Sequence, residues 1–234
     1  MRTSTLYFAK VIISVFGLSV VIVSAEDIET TGNQTTRLGD ITVTASRVDK
    51  SLYEVPAAVG VVDKNDIGSG KQKIGLDESL VKIPGLFMQN RYNFAQSLKI
   101  SIRGFGARAN FGTRGIKLYQ DGIPLTTVDG QGGIEDIDLN SINRIEVMRG
   151  PASSLYGSSS GGVMNFFTGD EDVDEPYLEA NISKGEYQTN IGNIKAGGEL
   201  DKLRYFFNLS HLDATGYRAH SRTRNTKFNS KFKY

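Results

Sequence analysis

Two hydrophobic rhythms run along this chain, and one gives way to the other near residue 170. From Tyr177 to the end, apolar and polar residues alternate. In LEANIS, Leu178, Ala180 and Ile182 share one face, with Glu179, Asn181 and Ser183 opposite. In LRYFFNLSH, Leu203, Tyr205, Phe207 and Leu209 share a face. In TKFNSKFKY, Phe228, Phe232 and Tyr234 alternate with Lys227, Asn229, Lys231 and Lys233. A period of two predicts strands, and Asp201-Lys202 reads as a tight connection between two of them. Residues 51–168 are more densely apolar, in shorter runs. AVGVV (58–62), LKISI (98–102), IKLYQ (116–120), RIEVM (144–148) and VMNFF (163–167) read as strands. Leu76, Leu80 and Ile83 fall at helical spacing, with Asp77 placed to cap the first turn and Pro84-Gly85 to stop the helix. Pro151 suits the first position of one helical turn in PASSLYG.

The remaining segments are of other kinds. Residues 1–25 read as an export signal: Arg2 and Lys10 precede the apolar run Val11 to Val23, and Val23-Ser24-Ala25 is a small-residue exit. That run is short of the roughly 20 residues a spanning helix needs. Residues 26–50 form a polar, flexible tail interrupted by DITVTASR, whose Ile41, Thr42, Val43 and Thr44 are all β-branched. This is a strand-former with no neighbouring sheet. GDEDVDEP (169–176) is an acidic linker. The alternating region at 177–234 fits two architectures equally well, the lipid-facing wall of an outer-membrane barrel or a soluble antiparallel sheet with one wet face.

Charge changes little in this picture: 27 Lys and Arg against 26 Asp and Glu leave a net charge of +1, which supplies no footprint for nucleic acid. With no cysteine, disulfides, thiolate metal sites and cysteine nucleophiles are excluded. Three motif matches fail on their context. Gly104-Phe105-Gly106-Ala107-Arg108-Ala109 follows a strand as a dinucleotide fingerprint should, but glycines and another strand follow in place of a helix. Gly157-Ser158-Ser159-Ser160-Gly161 lacks the strand before and the helix after that a nucleophile elbow needs. Gly68-Ser69-Gly70-Lys71 lacks the spacing of a phosphate loop. Two separated histidines do not make a zinc site.

The central zone resembles the plug domain of TonB-dependent outer-membrane receptors. The matching runs are VVDKNDI, LDESLVKIPGLFM, SIRGFGARANFGTRGIKLYQDGIPL and INRIEVMRGPASSLYGSSSGGVMNFFT. The last is the most specific. Ile145-Glu146-Val147 leads into Arg149-Gly150-Pro151, then Leu155-Tyr156-Gly157, then Gly161-Gly162-Val163 and Asn165, in the family's order and spacing. The implied fold is an α+β plug, a small mixed sheet with short helices, followed by the first strands of an incomplete transmembrane β-barrel. The implied function is uptake across the outer membrane of a Gram-negative bacterium, with no chemistry on the ligand, no catalytic residue, no cofactor and no resident metal.

Residue by residue, the resemblance makes Asp40, Ile41, Thr42, Val43, Thr44 and Ala45 a TonB box, which joins TonB by strand addition. Arg103, Gly104, Asp121, Gly122, Glu146, Arg149, Gly150, Tyr156 and Gly157 become plug framework. Arg149 falls where family plugs pair an arginine with barrel glutamates, here expected beyond Tyr234. Outward loops would contact the ligand, a small metal chelate such as a ferric siderophore or a similar cofactor, through Arg108, Asn110, Phe111, Arg114, Asp129 and Gln131. The implied partners are TonB with its inner-membrane complex, the ligand and outer-membrane lipid. Residues 177–234 hold about four strands, fewer than the eight or so of the smallest single-chain barrels, so the sequence is expected to be the N-terminal part of a longer receptor. The competing reading is an exported binding module with a plug-like sheet and no transport.

Overall fold

In a computed structural model, residues 42–44, 47, 50–89, 93–94, 96–110, 112–169 and 175–234 are described. The export signal, the tail up to Ile41, Ala45, Phe111 and residues 170–174 of the acidic linker lie outside these. Two short strands come first, β1 (Thr42–Val43) and β2 (Lys50–Ser51). Then follow β3 (Ala58–Val62), helices α1 (Lys64–Gly68) and α2 (Leu76–Leu80), and the paired β4 (Leu86–Gln89) and β5 (Lys99–Ile102). The middle of the chain supplies β6 (Thr113–Arg114), β7 (Ile116–Gln120), β8 (Ile123–Pro124), β9 (Gln131–Gly132), β10 (Ile142–Arg149), the helical turn α3 (Ser153–Tyr156) and β11 (Gly162–Thr168). The chain ends in β12 (Tyr177–Gly185), β13 (Thr189–Leu200), β14 (Leu203–Ala214) and β15 (Thr223–Lys233).

The central sheet has the order β3-β10-β11-β7-β8, with β11 and β7 parallel and the other neighbours antiparallel. RIEVM and VMNFF are apolar enough to be covered on both sides, and they are. Ile145, Val147, Met164 and Phe166 face the main core with Leu118, Ile67 from α1 and Leu80 from α2. Each such fully buried side chain is worth about 1.5–3 kcal/mol. Met148 and Val163 face a smaller cluster with Ala152 and Tyr156. Gly162 opens β11 at φ +142, where a Cβ would stand 2.2 Å from the Met148 carbonyl oxygen. The second glycine of GGV is therefore a steric requirement.

Three local expectations are corrected. Asp77 does not cap α2: the helix begins at Leu76, and the Glu78 carboxylate accepts the backbone N–H groups of Gln72, Lys73, Ile74 and Gly75 at 2.9–3.1 Å. A longer side chain one residue later reaches four donors that Asp77 does not. The helix also ends at Leu80, although Ile83 still packs in the core. Pro151 precedes the capping residue Ala152 and is not the first helical position of α3.

The last four strands form a separate antiparallel sheet in chain order, with Asp201-Lys202 as the turn between β13 and β14. Its burial decides between the two architectures. Leu178, Ile182, Ile194, Phe207, Leu209 and Phe228 are exposed, whereas Asn193, Lys195, Asn208 and Ser210 are buried against the plug. A soluble sheet hides its apolar face; here that face points outward, as a barrel wall presents it to lipid. The β13 and β14 strands have 12 residues each, enough for a tilted span of about 9–11 residues. Four strands leave the sheet open, so no barrel closes. Among the described residues no helix is long and apolar enough to cross a membrane, which says nothing of strands.

Candidate functional site

The strand-former without a sheet finds one inside its own chain. β1 pairs antiparallel with β2, Thr42 opposite Ser51 and Val43 opposite Lys50. Val43 is fully buried. Thr44 donates its backbone N–H to Glu146 Oε2 at 3.0 Å and its hydroxyl to the same oxygen at 3.3 Å. The Arg47 N–H closes a turn onto the Thr44 carbonyl at 2.8 Å, and its guanidinium sits 4.5 Å over the Tyr156 ring. The expectation of a flexible tail therefore does not hold for Thr42, Val43 and Thr44: these three residues are docked on the plug. Asp40, Ile41 and Ala45 lie outside the described residues.

Glu146 explains the docking. It sits in β10 on the face of Met148, opposite Asn165 of β11, and is fully buried. A buried carboxylate is tolerated only where donors and a counter-charge surround it. Besides Thr44, Arg144 approaches Glu146 Oε1 at 3.3 Å, its own guanidinium stacked 4.5 Å over Phe167. Tyr156 packs against Tyr119 at 5.5 Å between ring centres. Burial pushes the Tyr156 phenol up, while the Arg47 charge pulls the other way. Glu146 and Tyr156, read from the sequence as framework, thus also hold Thr44 and Arg47. The signal was visible as an acidic residue inside the apolar run RIEVM, but its partner lies 102 positions away.

The other framework residues are built into turns. Asp121 (φ 49) and Gly122 (φ 82) make the β7–β8 hairpin turn, of the type whose central residues both need positive φ. The Asp121 carboxylate accepts the Thr168 N–H at 3.0 Å, the Thr168 hydroxyl, and Lys231 Nζ at 2.7 Å. Arg103 and Gly104 also take positive φ, and the Arg103 N–H donates to the Gly85 carbonyl at 2.7 Å. The Arg149 guanidinium donates to the Pro84 carbonyl at 2.9 Å and the Ala58 carbonyl at 3.4 Å, half-exposed beside Gly150. Gly157 ends α3 at φ 74.

Of the ligand candidates, three are brought together. Arg114 on β6 stands opposite Gln131 on β9, and Asp129 occupies the turn before Gln131. The Thr127 hydroxyl, the Gln131 N–H and the Arg114 charge hold the Asp129 carboxyl below its ordinary range. Val128 projects fully exposed at the tip of this turn. Arg108 and Asn110 are exposed on the preceding loop, and Phe111 lies outside the described residues. Sequence reasoning missed a cavity of about 300 Å³ between plug and wall, which Lys73, Asn93, Phe94, Gln96, Asn140 and Lys227 help to line. Burial, and then the Lys195 charge, pull the Lys73 amine below its usual value. Among the described residues no cluster of His, Asp or Glu could hold a metal ion.

Comparison with known proteins agrees with this geometry. Residues 51–163 match the family model of the TonB-dependent receptor plug domain. The vitamin B12 transporter of Vibrio vulnificus is 28% identical over 178 residues, covering 71% of this chain and 28% of that protein. The hemin receptor of Yersinia enterocolitica is 31% identical over 157 residues, covering 65% of this chain and 21% of that protein. Among solved structures, the pyoverdine outer-membrane receptor of Pseudomonas aeruginosa bound to pyoverdine shares the fold, with a TM-score of 0.63 at 19% identity over 84% of this chain and 28% of that one. The chain thus spans under a third of the length of these relatives, and receptors of this family are not enzymes. With the plug motifs and the mixed sheet they build, residues 51–163 are a TonB-dependent receptor plug domain, and the strands that follow are arranged like the first strands of a barrel wall.

Proposed function

We propose that this chain is the gate-bearing portion of an outer-membrane receptor that takes up a small, scarce ligand and is energised through TonB. The observation that carries the reading is β1, a β-branched strand held on the plug by one short pairing, two hydrogen bonds to Glu146 and one cation–π contact. A two-residue strand pairing of this kind can be exchanged for the edge of another protein's sheet. The names of the two relatives, a vitamin B12 transporter and a hemin receptor, support a metal chelate as the ligand class. Arg108 and Arg114 on the exposed loops suit an anionic chelate, with Asp129, Gln131 and Asn110 as polar neighbours.

The experiment is uptake in a strain lacking its own receptors, with hemin, cyanocobalamin or a ferric siderophore supplied singly as the limiting source. The receptor carrying this segment supports growth on one of them only when TonB is present. Val43→Pro removes a backbone donor and bends the strand; it abolishes energised uptake while ligand still binds at the surface. Wild-type uptake by the Val43→Pro receptor refutes strand addition at this box.

A further inference from the structure

A charged group that uptake does not call on lies at the boundary between plug and wall. Asp138 is 4% exposed, yet its carboxylate is fully provided for. Oδ1 accepts the Asn140 backbone N–H at 3.0 Å and its side-chain amide at 3.2 Å. Oδ2 accepts Asn208 Nδ2 and Ser210 Oγ, both at 2.6 Å. Asn208 and Ser210 are alternate residues of β14, so both point inward. Asn193 of β13 donates to Asn208 Oδ1 at 2.7 Å and so orients that amide.

The next strand repeats the pattern with cations. Lys227 of β15, opposite Ser210, donates to the carbonyls of Ile137, at 2.7 Å, and Glu135. Four residues on, Lys231 donates to Asp121 at 2.7 Å and to the Thr168 carbonyl at 3.1 Å. Asp121 follows β7, Thr168 ends β11 and Asp138 precedes β10, and Ile142 pairs with Thr168. The anchoring points therefore gather at one end of the central sheet, on its three middle strands.

We propose that Asn208, Ser210, Lys227 and Lys231 form a docking site for the plug, with Asp138 as its central anchor, carried wholly by the first strands of the wall and needing no later strand. A buried carboxylate without donors is strongly disfavoured, and among the described residues the donors to Asp138 across the boundary, Asn208 and Ser210, belong to β14. Residues 121–168 are thereby fastened to the wall, while Thr42, Val43 and Thr44 pair with β2 and bond to Glu146. This rests on the plug-and-wall reading, but its test involves neither ligand nor TonB.

The test is amine acetylation of the whole chain in detergent micelles, read by mass spectrometry. Lys227 reacts about tenfold slower than the exposed turn residue Lys202, the expected mark of a group that reacts only on opening. Lys231 is slowed less, its side chain being 32% exposed. Asp138→Ala brings both lysines toward the Lys202 rate, and so does the wall-side pair Asn208→Ala with Ser210→Ala. Hydrogen exchange in β10 and β11 stays protected in the wall-side variant, whose plug sequence is untouched. Lys227 reacting as fast as Lys202 in the unmodified chain overturns the proposal, because docking then needs strands this chain lacks. Lys227 remaining protected in both variants overturns the assignment to Asp138. A failure of the uptake reading would show differently, as intact docking in a receptor with no TonB-linked growth.

Discussion

Glu146→Gln releases the box while leaving the plug folded. The substitution keeps size and shape but removes the charge that the Thr44 N–H meets at 3.0 Å. A hydrogen bond to a charged acceptor is worth about 1.5–3 kcal/mol net, and one between neutral groups about 0.5–1.5 kcal/mol. Replacing the first kind by the second therefore shifts the docked-to-released balance by about 1.4 kcal/mol, or tenfold. In the proposed strand addition TonB takes only a released strand, so its apparent Kd falls by the factor by which the released fraction rises. Calorimetric titration of the wild-type and Glu146→Gln chains with the TonB C-terminal domain should show about tenfold tighter binding to the variant. Glu146 is the position to change because it lies outside the box, so the strand offered to TonB keeps its sequence. Arg144 loses its ion pair with Glu146 but keeps contact with solvent, its side chain being 26% exposed, and with the Phe167 ring. A Kd within about twofold of wild type, with an unchanged denaturation midpoint, would show that Glu146 does not hold the box.

Three further outcomes follow from the geometry. Gly162→Ala places a methyl 2.2 Å from the Met148 carbonyl at φ +142 and should destabilise the plug by about 3 kcal/mol or more, seen as a lower urea midpoint with an unchanged slope. Leu209→Arg, on the outward face of β14, should cost about 2–4 kcal/mol of membrane insertion if it lies near the bilayer midplane, read from folding titrations in lipid vesicles; an insertion free energy equal to wild type would contradict the assignment of faces. Asp129 should titrate below its ordinary value of 3.8, followed by carboxyl NMR, and Thr127→Val should raise its midpoint. Because the folded carboxyl is the stronger acid, its contribution to turn order is complete above the unfolded value and is lost as pH falls through the folded one.

Much of the architecture was legible because local pattern and final environment agree. RIEVM and VMNFF are strands covered on both faces, and their composition says so before any partner is known. The two-residue alternation of 177–234 survives as inward polar and outward apolar faces. The misses are those where a side chain reached beyond its neighbours. Glu78, and not Asp77, caps α2 because a flexible carboxylate can gather four N–H groups from a preceding loop. Thr42, Val43 and Thr44 looked free because β2 and Glu146, which hold them, are unremarkable or remote in sequence.

The sequence by itself determined the elements, the plug family and the strand character of Thr42, Val43 and Thr44, since β-branching, period and motif order are local properties. Whether the final sheet is a barrel wall or a soluble sheet with one wet face was open until burial showed the apolar side uncovered. Where the box rests, and that Asp138 is bound by Asn208 and Ser210, only the tertiary structure decided. Those contacts join positions 102, 70 and 72 residues apart, and a buried carboxylate is placed by whichever donors the fold brings to it.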